Sequence, residues 1–294
     1  MATQTIELLI NTRSKHGKHA LTVIQQVCQE LGLVLDRINE LKSGDDLHLT
    51  LQHIKERAPH ILIVGSGDGT VSDVVDHLVG SDITLGVVPL GTTNNFARSL
   101  GIPLDIHESL NIIKLGNSAP VDLGKLDNEY FSNIAGIGLS ALIAETVTNA
   151  RKKRFGRFAY PLTGIELLFT HQPFFVTITD KDAELQLHFE THQLIVANGK
   201  YHAGKEIAAD ASLQGNELVI FKLGGRSKLS FAWHMIDFYI GRRRSVYHSS
   251  YLIGKDVSIS TSTPQSIELD GEVKLSTPVA ASVHAKAIRI FQPL

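Results

Sequence analysis

The first 115 residues alternate between two hydrophobic periods. Short apolar runs at 6–10, 61–64 and 84–88 have the length of buried strands, and apolar positions at helical spacing follow them, as at 71–78. Buried strands that alternate with helices indicate a parallel sheet covered on both faces. The pattern therefore predicts an N-terminal α/β domain over residues 1–120. Further runs predict a strand at 33–38 and helices at 21–31, 47–54, 94–100 and 105–115.

From about residue 121 the pattern changes. Helical stretches are predicted at 139–148 and 160–169, and many short alternating or β-branched runs separated by turn residues follow them. These runs lie at 174–179, 185–189, 194–197, 218–221, 257–260, 266–269, 281–283 and 288–291. Short strands at this spacing favour a sandwich or an open barrel. We therefore expect a mainly β C-terminal domain over residues 121–285.

Three loops of the N-terminal half carry the polar residues. They are 11–14 (Asn-Thr-Arg-Ser), 65–70 (Gly-Ser-Gly-Asp-Gly-Thr) and 89–95 (Pro-Leu-Gly-Thr-Thr-Asn-Asn), and each follows a predicted strand. In a parallel sheet, ligands bind at the carboxyl ends of the strands, near the point where the strand order reverses. The three loops should therefore lie on one edge of the sheet.

The loop 65–70 has the composition of a phosphate site. Glycines let backbone N–H groups approach an oxyanion, and the following helix N-terminus adds unsatisfied donors. Asp68 would repel phosphate unless a cation lies between them, and Mg²⁺ accepts both kinds of oxygen. An ordinary tight turn would also explain the glycines, and Asn94 or Thr93 would also suit a helix N-cap. The chain has neither a P-loop nor a strict GxGxxG motif.

Composition narrows the class of protein. The chain has 294 residues, 43% hydrophobic and 20% charged, with a net charge of −2, which argues against a disordered chain and against a nucleic-acid-binding protein. The single cysteine, Cys28, excludes an internal disulfide. The N-terminus lacks the features of a signal peptide, and no apolar run approaches the ~20 residues of a spanning helix. We therefore expect a cytoplasmic protein.

Several motifs together resemble the diacylglycerol kinase catalytic-domain superfamily, which includes sphingosine kinases and small bacterial lipid kinases. They are GSGDGT (65–70), PLGTTNNFARSLGIP (89–103), VDLGKL (121–126), YFSNIAGIGLSA (130–141), KKRFGRFAYPLTG (152–164), VANGKYHAG (196–204) and LDGE (269–272). The resemblance spans nearly the whole chain in order. It implies a nucleotide-binding α/β domain like that of NAD kinases and lipid kinases, a β-sandwich-like second domain, an active site in the cleft between them, and a return strand over 286–294.

The resemblance also implies roles for particular residues. The nucleotide is ATP, and its binding residues are Asn11, Thr12, Ser14, Gly65, Ser66, Gly67, Asp68, Gly69, Thr70, Gly91, Thr92 and Asn94. Asp68 and Asp122 would organise Mg²⁺ or the acceptor. Glu272 is our choice of base, with Asp270 as its partner or rival and Asp68 as the third catalytic carboxylate. A hairpin turn would also explain the Asp-Gly pair.

Three departures from the family pattern bear on these roles. The first loop lacks the usual proline and glycine, Asn95 replaces an aspartate, and Gly215 stands where relatives carry the aspartate of a structural Mg²⁺ site. These departures keep a catalytically inactive nucleotide- or lipid-binding protein as an alternative. A NAD kinase-like enzyme is another, because NAD kinases share the glycine-rich loop.

The expected partners are a lipid alcohol and, transiently, a membrane surface. A solvated helix face is the favoured explanation of the basic clusters 151–157 and 242–244, and the alternative is a patch that docks on anionic headgroups. A homodimer is one of the oligomeric states that the sequence leaves open. The lipid itself is not determined by these motifs.

Overall fold

The computed structural model describes residues 4–13, 15–42, 44, 46–147, 159–180, 182–223, 227–228 and 251–294. The chain divides into two compact units, the first formed by residues 1–123 and 285–294 and the second by residues 124–284. Ser14 and both basic clusters lie outside the described residues. Within the described part, no helix is long and apolar enough to cross a bilayer.

The first unit is an α/β layer structure. Its elements are β1 (Ile6–Asn11), α1 (Lys15–Leu31), β2 (Arg37–Leu41), α2 (Leu47–Arg57), β3 (Ile61–Ser66), α3 (Asp68–Leu78), β4 (Thr84–Pro89), α4 (Asn95–Ser99), α5 (Ile106–Leu115) and the end of β18 (Val279–Phe291). The sheet order is β2-β1-β3-β4-β18, and all these pairs are parallel. The strand order reverses between β1 and β3, so the loops that follow them lie where ligands bind in such sheets.

The apolar residues of these strands form the core of the first unit together with its helices. Ile6, Leu8 and Ile10 of β1 are buried and pack with Ile24 of α1 and Leu110 of α5. Both faces of a parallel sheet must be covered, which explains why β3 reads as an uninterrupted apolar run.

The second unit is a two-sheet β structure. Its elements are β5 (Ser118–Leu126, shared with the first unit), β6 (Glu129–Phe131), β7 (Ile134–Gly138), α6 (Leu139–Thr146), α7 (Ala159–Thr170), β8 (Phe174–Asp180), β9 (Leu185–Thr191), β10 (Gln193–Ala197), β11 (Tyr201–His202), β12 (Lys205–Glu206), β13 (Leu218–Leu223), β14 (Tyr251–Gly254), β15 (Asp256–Thr261), β16 (Ser266–Leu269), β17 (Glu272–Ser276) and the start of β18. One antiparallel sheet has the order β14-β13-β10-β7-β16-β17. The other contains β18, β15, β8 and β9.

A shared apolar core joins the two sheets of this unit. Val196, Ile220 and Ile267 of the first sheet pack with Val176 and Ile259 of the second. The predicted fold class, an α/β domain with a parallel sheet followed by a β sandwich, is confirmed.

Two strand predictions were wrong in detail. The predicted strand 33–38 is displaced, and β2 begins at Arg37. Gly32 has a left-handed φ of 69°, and the Leu33 N–H still bonds to the Cys28 carbonyl, so these residues complete the exit from α1. The runs 281–283 and 288–291 were expected to be separate, but β18 is continuous through Lys286, whose φ is 54°. One residue with a left-handed φ lets a strand bend without ending it.

Candidate active site

The loop after β1 begins at Asn11, which is partly exposed. The Asn11 side chain accepts a hydrogen bond from the Arg13 N–H at 3.2 Å. Thr12 is buried, and its hydroxyl donates to Glu40 Oε2 at 3.3 Å rather than facing solvent. Helix α1 passes so close that a Cβ on Gly17 would lie 2.1 Å from the Asn11 carbonyl oxygen. Gly17, the third residue of α1, therefore lets the helix lie close to the end of β1. The loop between them lacks the glycine that is usual in the family.

The turn 65–70 contains glycines of two kinds. Gly65 is buried, and a Cβ there would lie 3.2 Å from Ile24 Cδ1, so packing explains this glycine. A Cβ on Gly67 would lie 3.1 Å from the Gly91 Cα, which brings the loops after β3 and β4 into backbone contact. Gly69 is exposed, and a Cβ on it would meet nothing within 4 Å. Neither packing nor backbone strain requires a glycine at position 69.

The N-terminus of α3 presents unsatisfied donors. Gly67 is the N-cap residue, with a φ of −90°, and as a glycine it has no side chain with which to cap the helix. The first N–H groups of any helix lack intrahelical acceptors and carry a partial positive charge. Thr70 lies half-buried in the same first turn. A shallow depression at this end is lined by residues of both loops, among them Ser66, Asp68 and Asn94.

Asp68 connects α3 to the start of α4. Its Oδ2 accepts the Thr93 hydroxyl at 2.6 Å, and its Oδ1 accepts the Phe96 N–H at 3.3 Å. A carboxylate has about four acceptor positions, so two hydrogen bonds leave room for a cation. Asp68 therefore has a structural reason to be present as well as the chemical one that the sequence indicates.

Asn94 does not cap α4 in the way that the sequence suggests. It occupies the N-cap position with a φ of 48°, but its side chain makes no capping bond. Instead, Asn94 Oδ1 accepts the Gly91 N–H at 2.8 Å and its Nδ2 donates to the Gly91 carbonyl at 2.9 Å. The Asp68 carboxylate takes the Phe96 N–H of α4 in its place. Thr92, the neighbouring predicted contact, is exposed.

Asp122 lies buried in β5, where it supports the irregular point of β18. Its Oδ1 accepts the Lys286 N–H at 2.7 Å, at the residue with the left-handed φ. Among the described residues, no group of three or more carboxylate, histidine or cysteine side chains is arranged to hold a metal. Mg²⁺ commonly binds through one or two carboxylates together with substrate phosphates, so a preformed cage is not required.

The turn 269–272 separates the two carboxylates that the sequence left as rivals. Asp270 and Gly271 both have positive φ, 49° and 99°, and Leu269 pairs with Glu272, which makes a two-residue hairpin. The Asp270 carboxylate accepts four hydrogen bonds at 2.7–3.1 Å, from the N–H and hydroxyl of Ser132 and from the next two N–H groups. Glu272 is exposed. The structure thus engages both oxygens of Asp270 and leaves Glu272 open to solvent.

Sequence reasoning missed a third carboxyl group at this turn. Glu268 is only 3% exposed, and its pKa is raised to about 7 because burial disfavours the charge. Hydrogen bonds from Ser140 and Gly271 oppose that shift, whereas the charge of Asp270 adds to it. The sequence feature that could have indicated a buried carboxyl group is a glutamate between the apolar residues Ile267 and Leu269 of a predicted strand.

The comparisons with known proteins agree with this architecture. The sequence matches the diacylglycerol kinase catalytic domain over residues 5–126 and the YegS C-terminal NAD kinase beta sandwich-like domain over residues 133–292. It is 30% identical over 258 residues to a diacylglycerol kinase of Bacillus subtilis (strain 168), covering 87% of this chain and 84% of that protein. A solved diacylglycerol kinase structure from Bacillus anthracis str. Sterne has the same fold, with a TM-score of 0.75 at 21% identity over 100% of this chain and 98% of that chain. The chain therefore belongs to the diacylglycerol kinase catalytic-domain family of lipid kinases.

Proposed function

We propose that this protein transfers the γ-phosphoryl group of Mg·ATP to the hydroxyl of a lipid alcohol, with diacylglycerol as the first acceptor to test. The observation that carries the proposal is the uncapped N-terminus of α3 beside Gly69, where a side chain would fit but none is present. An open glycine at a helix N-terminus leaves space for phosphate oxygens next to free N–H donors. Family membership supports the kinase activity, and the relative from B. subtilis supports the choice of acceptor.

In this proposal the loops of the first unit hold the nucleotide. The backbone N–H groups of the α3 N-terminus bind phosphate oxygens, and Gly67 and Gly91 keep the two loops in contact. Asp68 and Asp122 are the carboxylates proposed to hold Mg²⁺, which would neutralise phosphate charge during transfer. Asn11 contributes from the end of β1.

Glu272 is the proposed base. The lipid hydroxyl oxygen forms a bond to the γ-phosphorus, the bond from that phosphorus to the bridging oxygen of ADP breaks, and the hydroxyl proton passes to the Glu272 carboxylate. Asp270 has both oxygens engaged by the 132–134 backbone and Ser132, so a further proton would displace a hydrogen bond. We therefore assign Asp270 to holding the turn.

Contact with a bilayer is a further part of the proposal. Leu162, Ile165 and Phe169 of α7 are 43%, 58% and 74% exposed and lie three and seven positions apart along one side of the helix. The opposite side, with Thr163 and Leu167, is buried or packs on the core of its own unit. An exposed apolar stripe that follows the basic sequence 151–157 suits an anionic membrane surface.

The test is transfer of ³²P from γ-labelled ATP into a chloroform-extractable product, with mixed lipid micelles as the acceptor. Wild type should label a lipid, and Glu272→Ala should abolish the label while ATP binding, measured by calorimetry, stays within about twofold. Glu217→Ala, at an exposed glutamate of the same unit, is the matched control. ATP binding without any labelled lipid would overturn the proposal in favour of an inactive binder or, if NAD is phosphorylated, of a NAD kinase-like enzyme.

A further inference from the structure

Segments from three distant parts of the sequence meet in the second unit. They are the motifs at 130–141, 196–204 and 269–272, and the proposed reaction assigns roles only to residues of the last one. Asn198 of the second segment is fully buried, with a relative exposure of 0%. Burial of a polar side chain is unfavourable unless the side chain makes hydrogen bonds. The bonds of Asn198 therefore indicate what this residue does.

Asn198 binds two successive peptide units of the segment 132–134. Its Nδ2 donates to the Ser132 carbonyl at 3.0 Å. Its backbone N–H donates to the Asn133 carbonyl at 2.8 Å, and the Gly199 N–H donates to the same oxygen at 2.8 Å. The carbonyl groups of both peptide units are therefore fixed from the side of Asn198.

The N–H groups of the same two peptide units bind Asp270. A peptide unit is planar and trans, so its C=O and its N–H point in opposite directions. The unit that begins with the Ser132 carbonyl contains the Asn133 N–H, which donates to Asp270 Oδ1 at 3.0 Å. The next unit contains the Ile134 N–H, which donates to the same oxygen at 3.1 Å. Asn198 and Asp270 thus hold the two peptide planes from opposite sides.

A side-chain path reaches the other oxygen of Asp270. Asn133 Nδ2 donates to Ser132 Oγ at 3.1 Å. The Ser132 hydroxyl has one proton, which it donates to Asp270 Oδ2 at 2.7 Å, and the Ser132 N–H donates to the same oxygen at 2.7 Å. The Asp270 N–H in turn donates to the Ile134 carbonyl at 3.0 Å. Asp270, and with it the hairpin turn, is therefore attached through both its side chain and its backbone.

Any buried loop must have its carbonyl groups paired, and such pairing alone has no consequence for catalysis. In this fold the paired loop supports the turn at whose end Glu272 lies. Without the Asn198 side chain, the Ser132 carbonyl loses the donor that fixes its peptide plane. That plane could then rotate, which would turn the Asn133 N–H away from Asp270 and loosen the turn.

We propose that Asn198 is a positioning residue for phosphoryl transfer, which orients the peptide N–H groups that hold Asp270 and thereby fixes the place of Glu272. The inference rests on the proposed function, in which Glu272 is the base. A misplacement of about 1 Å in a catalytic group can cost on the order of 100-fold in rate. Asn198→Ala should therefore lower kcat by about 10- to 100-fold. The KM for ATP should stay unchanged, because the proposed ATP-binding residues belong to the other unit.

A double-mutant cycle separates positioning from a direct role in the reaction. If Asn198 acts through Asp270, Asn198→Ala should lower kcat much less in the Asp270→Asn background than in the wild type. A decrease of the same size in both backgrounds would mean that Asn198 does not act through Asp270, and it would overturn the inference.

The Asn133 amide reports on the attachment directly. The pair Ser-Asn occurs once in the sequence, at 132–133, so labelling serine carbonyls with ¹³C and asparagine amides with ¹⁵N leaves a single correlated signal. Hydrogen exchange of this amide should be about tenfold faster or more in Asn198→Ala and in Asp270→Asn, because either change opens the bond between Asn133 and Asp270.

Two further variants complete the experiment. Ile259→Val shortens a fully buried core side chain on β15, in the other sheet of the unit, and controls for a loss of stability alone. It should lower the urea midpoint and leave kcat unchanged. Ser132→Ala is the milder variant if Asn198→Ala does not fold, since it removes one donor to Asp270 Oδ2 and keeps the N–H bonds. It should lower kcat at least about threefold, and an unchanged kcat would overturn the inference.

The outcomes separate the inference from the proposed function. Unchanged exchange of the Asn133 amide in Asn198→Ala would overturn the inference, and so would an unchanged kcat in a variant whose Asn133 amide exchanges faster. A kcat that falls about 10-fold or more, with the KM for ATP unchanged and little further loss in the Asp270→Asn background, would support it. A wild type that binds ATP but phosphorylates no lipid would overturn the proposed function and the catalytic part of the inference, while the Asn133 exchange would still decide the attachment.

Discussion

Gly69 is the glycine whose replacement best separates a ligand site from a structural turn. It lies in the first turn of α3, is exposed, and has nothing within 4 Å of the position that a Cβ would take. Gly91, on the facing loop, is the matched control. A Cβ there would lie 2.7 Å from both the Gly67 Cα and the Asn94 side-chain oxygen. We therefore predict that one substitution to alanine has opposite effects at the two positions.

The expected magnitudes follow from these surroundings. Alanine is favoured over glycine in a helix by roughly 0.5–1 kcal/mol, so Gly69→Ala should raise the free energy of unfolding by up to that amount. Gly91→Ala forces a backbone shift and should lower it by about 1–3 kcal/mol, as overpacking does. If phosphate oxygens occupy the space beside Gly69, its new methyl group should weaken ATP binding by about tenfold, which is about 1.4 kcal/mol.

Urea unfolding without ligand and calorimetric titration with Mg·ATP measure the two effects separately. Gly69→Ala should unfold at a higher urea concentration than the wild type and bind ATP more weakly. The reasoning would be refuted if Gly69→Ala unfolded at a lower urea concentration, or if it kept the full affinity for ATP. The first result would mean that the space beside Gly69 is not open, and the second would mean that the nucleotide does not occupy it.

Three further predictions concern carboxyl groups that are buried or hydrogen-bonded within the fold. Arg57→Met removes the bidentate partner of Glu7, whose two bonds to Arg57 measure 2.7 Å, and should cost about 3 kcal/mol in urea unfolding at pH 7. Burial raises the pKa of Glu7, but the hydrogen bonds from Arg57 outweigh burial and the net pKa is lowered. The stability lost in Arg57→Met should therefore shrink as pH falls below the ordinary Glu pKa of 4.5. A loss that does not change with pH would contradict this account. Asp270→Asn should lower the thermal midpoint by several degrees because an amide NH₂ would face N–H donors, whereas Glu272→Gln, at an exposed site, should leave it within about 1 °C. Burial raises the pKa of Glu268 from the ordinary 4.5 to about 7 in the folded protein. The wild type should therefore lose about 3 kcal/mol of stability as pH rises from 4.5 to 7. Glu268→Gln should show no such loss when its urea unfolding is measured across the same pH range.

Much of the fold follows from the local hydrophobic pattern. The apolar runs at 6–10, 61–64 and 84–88 correspond to β1, β3 and β4 because a strand buried on both faces has few polar positions. The predictions failed where tertiary contacts override the pattern. Leucines 33 and 35 look like strand residues but pack on the core from the turn after α1. The polar residues between 283 and 288 suggested a break, but β18 continues through them.

The candidate site divides in the same way. The glycine-rich motif indicated the turn 65–70 and the Asp-Gly pair indicated the turn 269–272. Tight turns favour glycine and aspartate for local reasons, so both turns could be predicted from the sequence. The partners of their side chains were not predictable, since Asp270 binds Ser132 across 138 residues of sequence and Asp68 binds Thr93 across 25. The hydroxyl of Thr12 likewise donates to Glu40, 28 residues further along the chain.

The sequence by itself therefore determined the family, the fold class and the positions of the two turns, because periodicity and turn chemistry act over a few neighbouring residues. Only the tertiary structure decided the surroundings of each carboxyl group. In the folded protein Asp270 is hydrogen-bonded to Ser132, Glu272 is exposed and Glu268 is buried. Hydrogen bonding and desolvation depend on groups that the fold brings together from distant parts of the sequence.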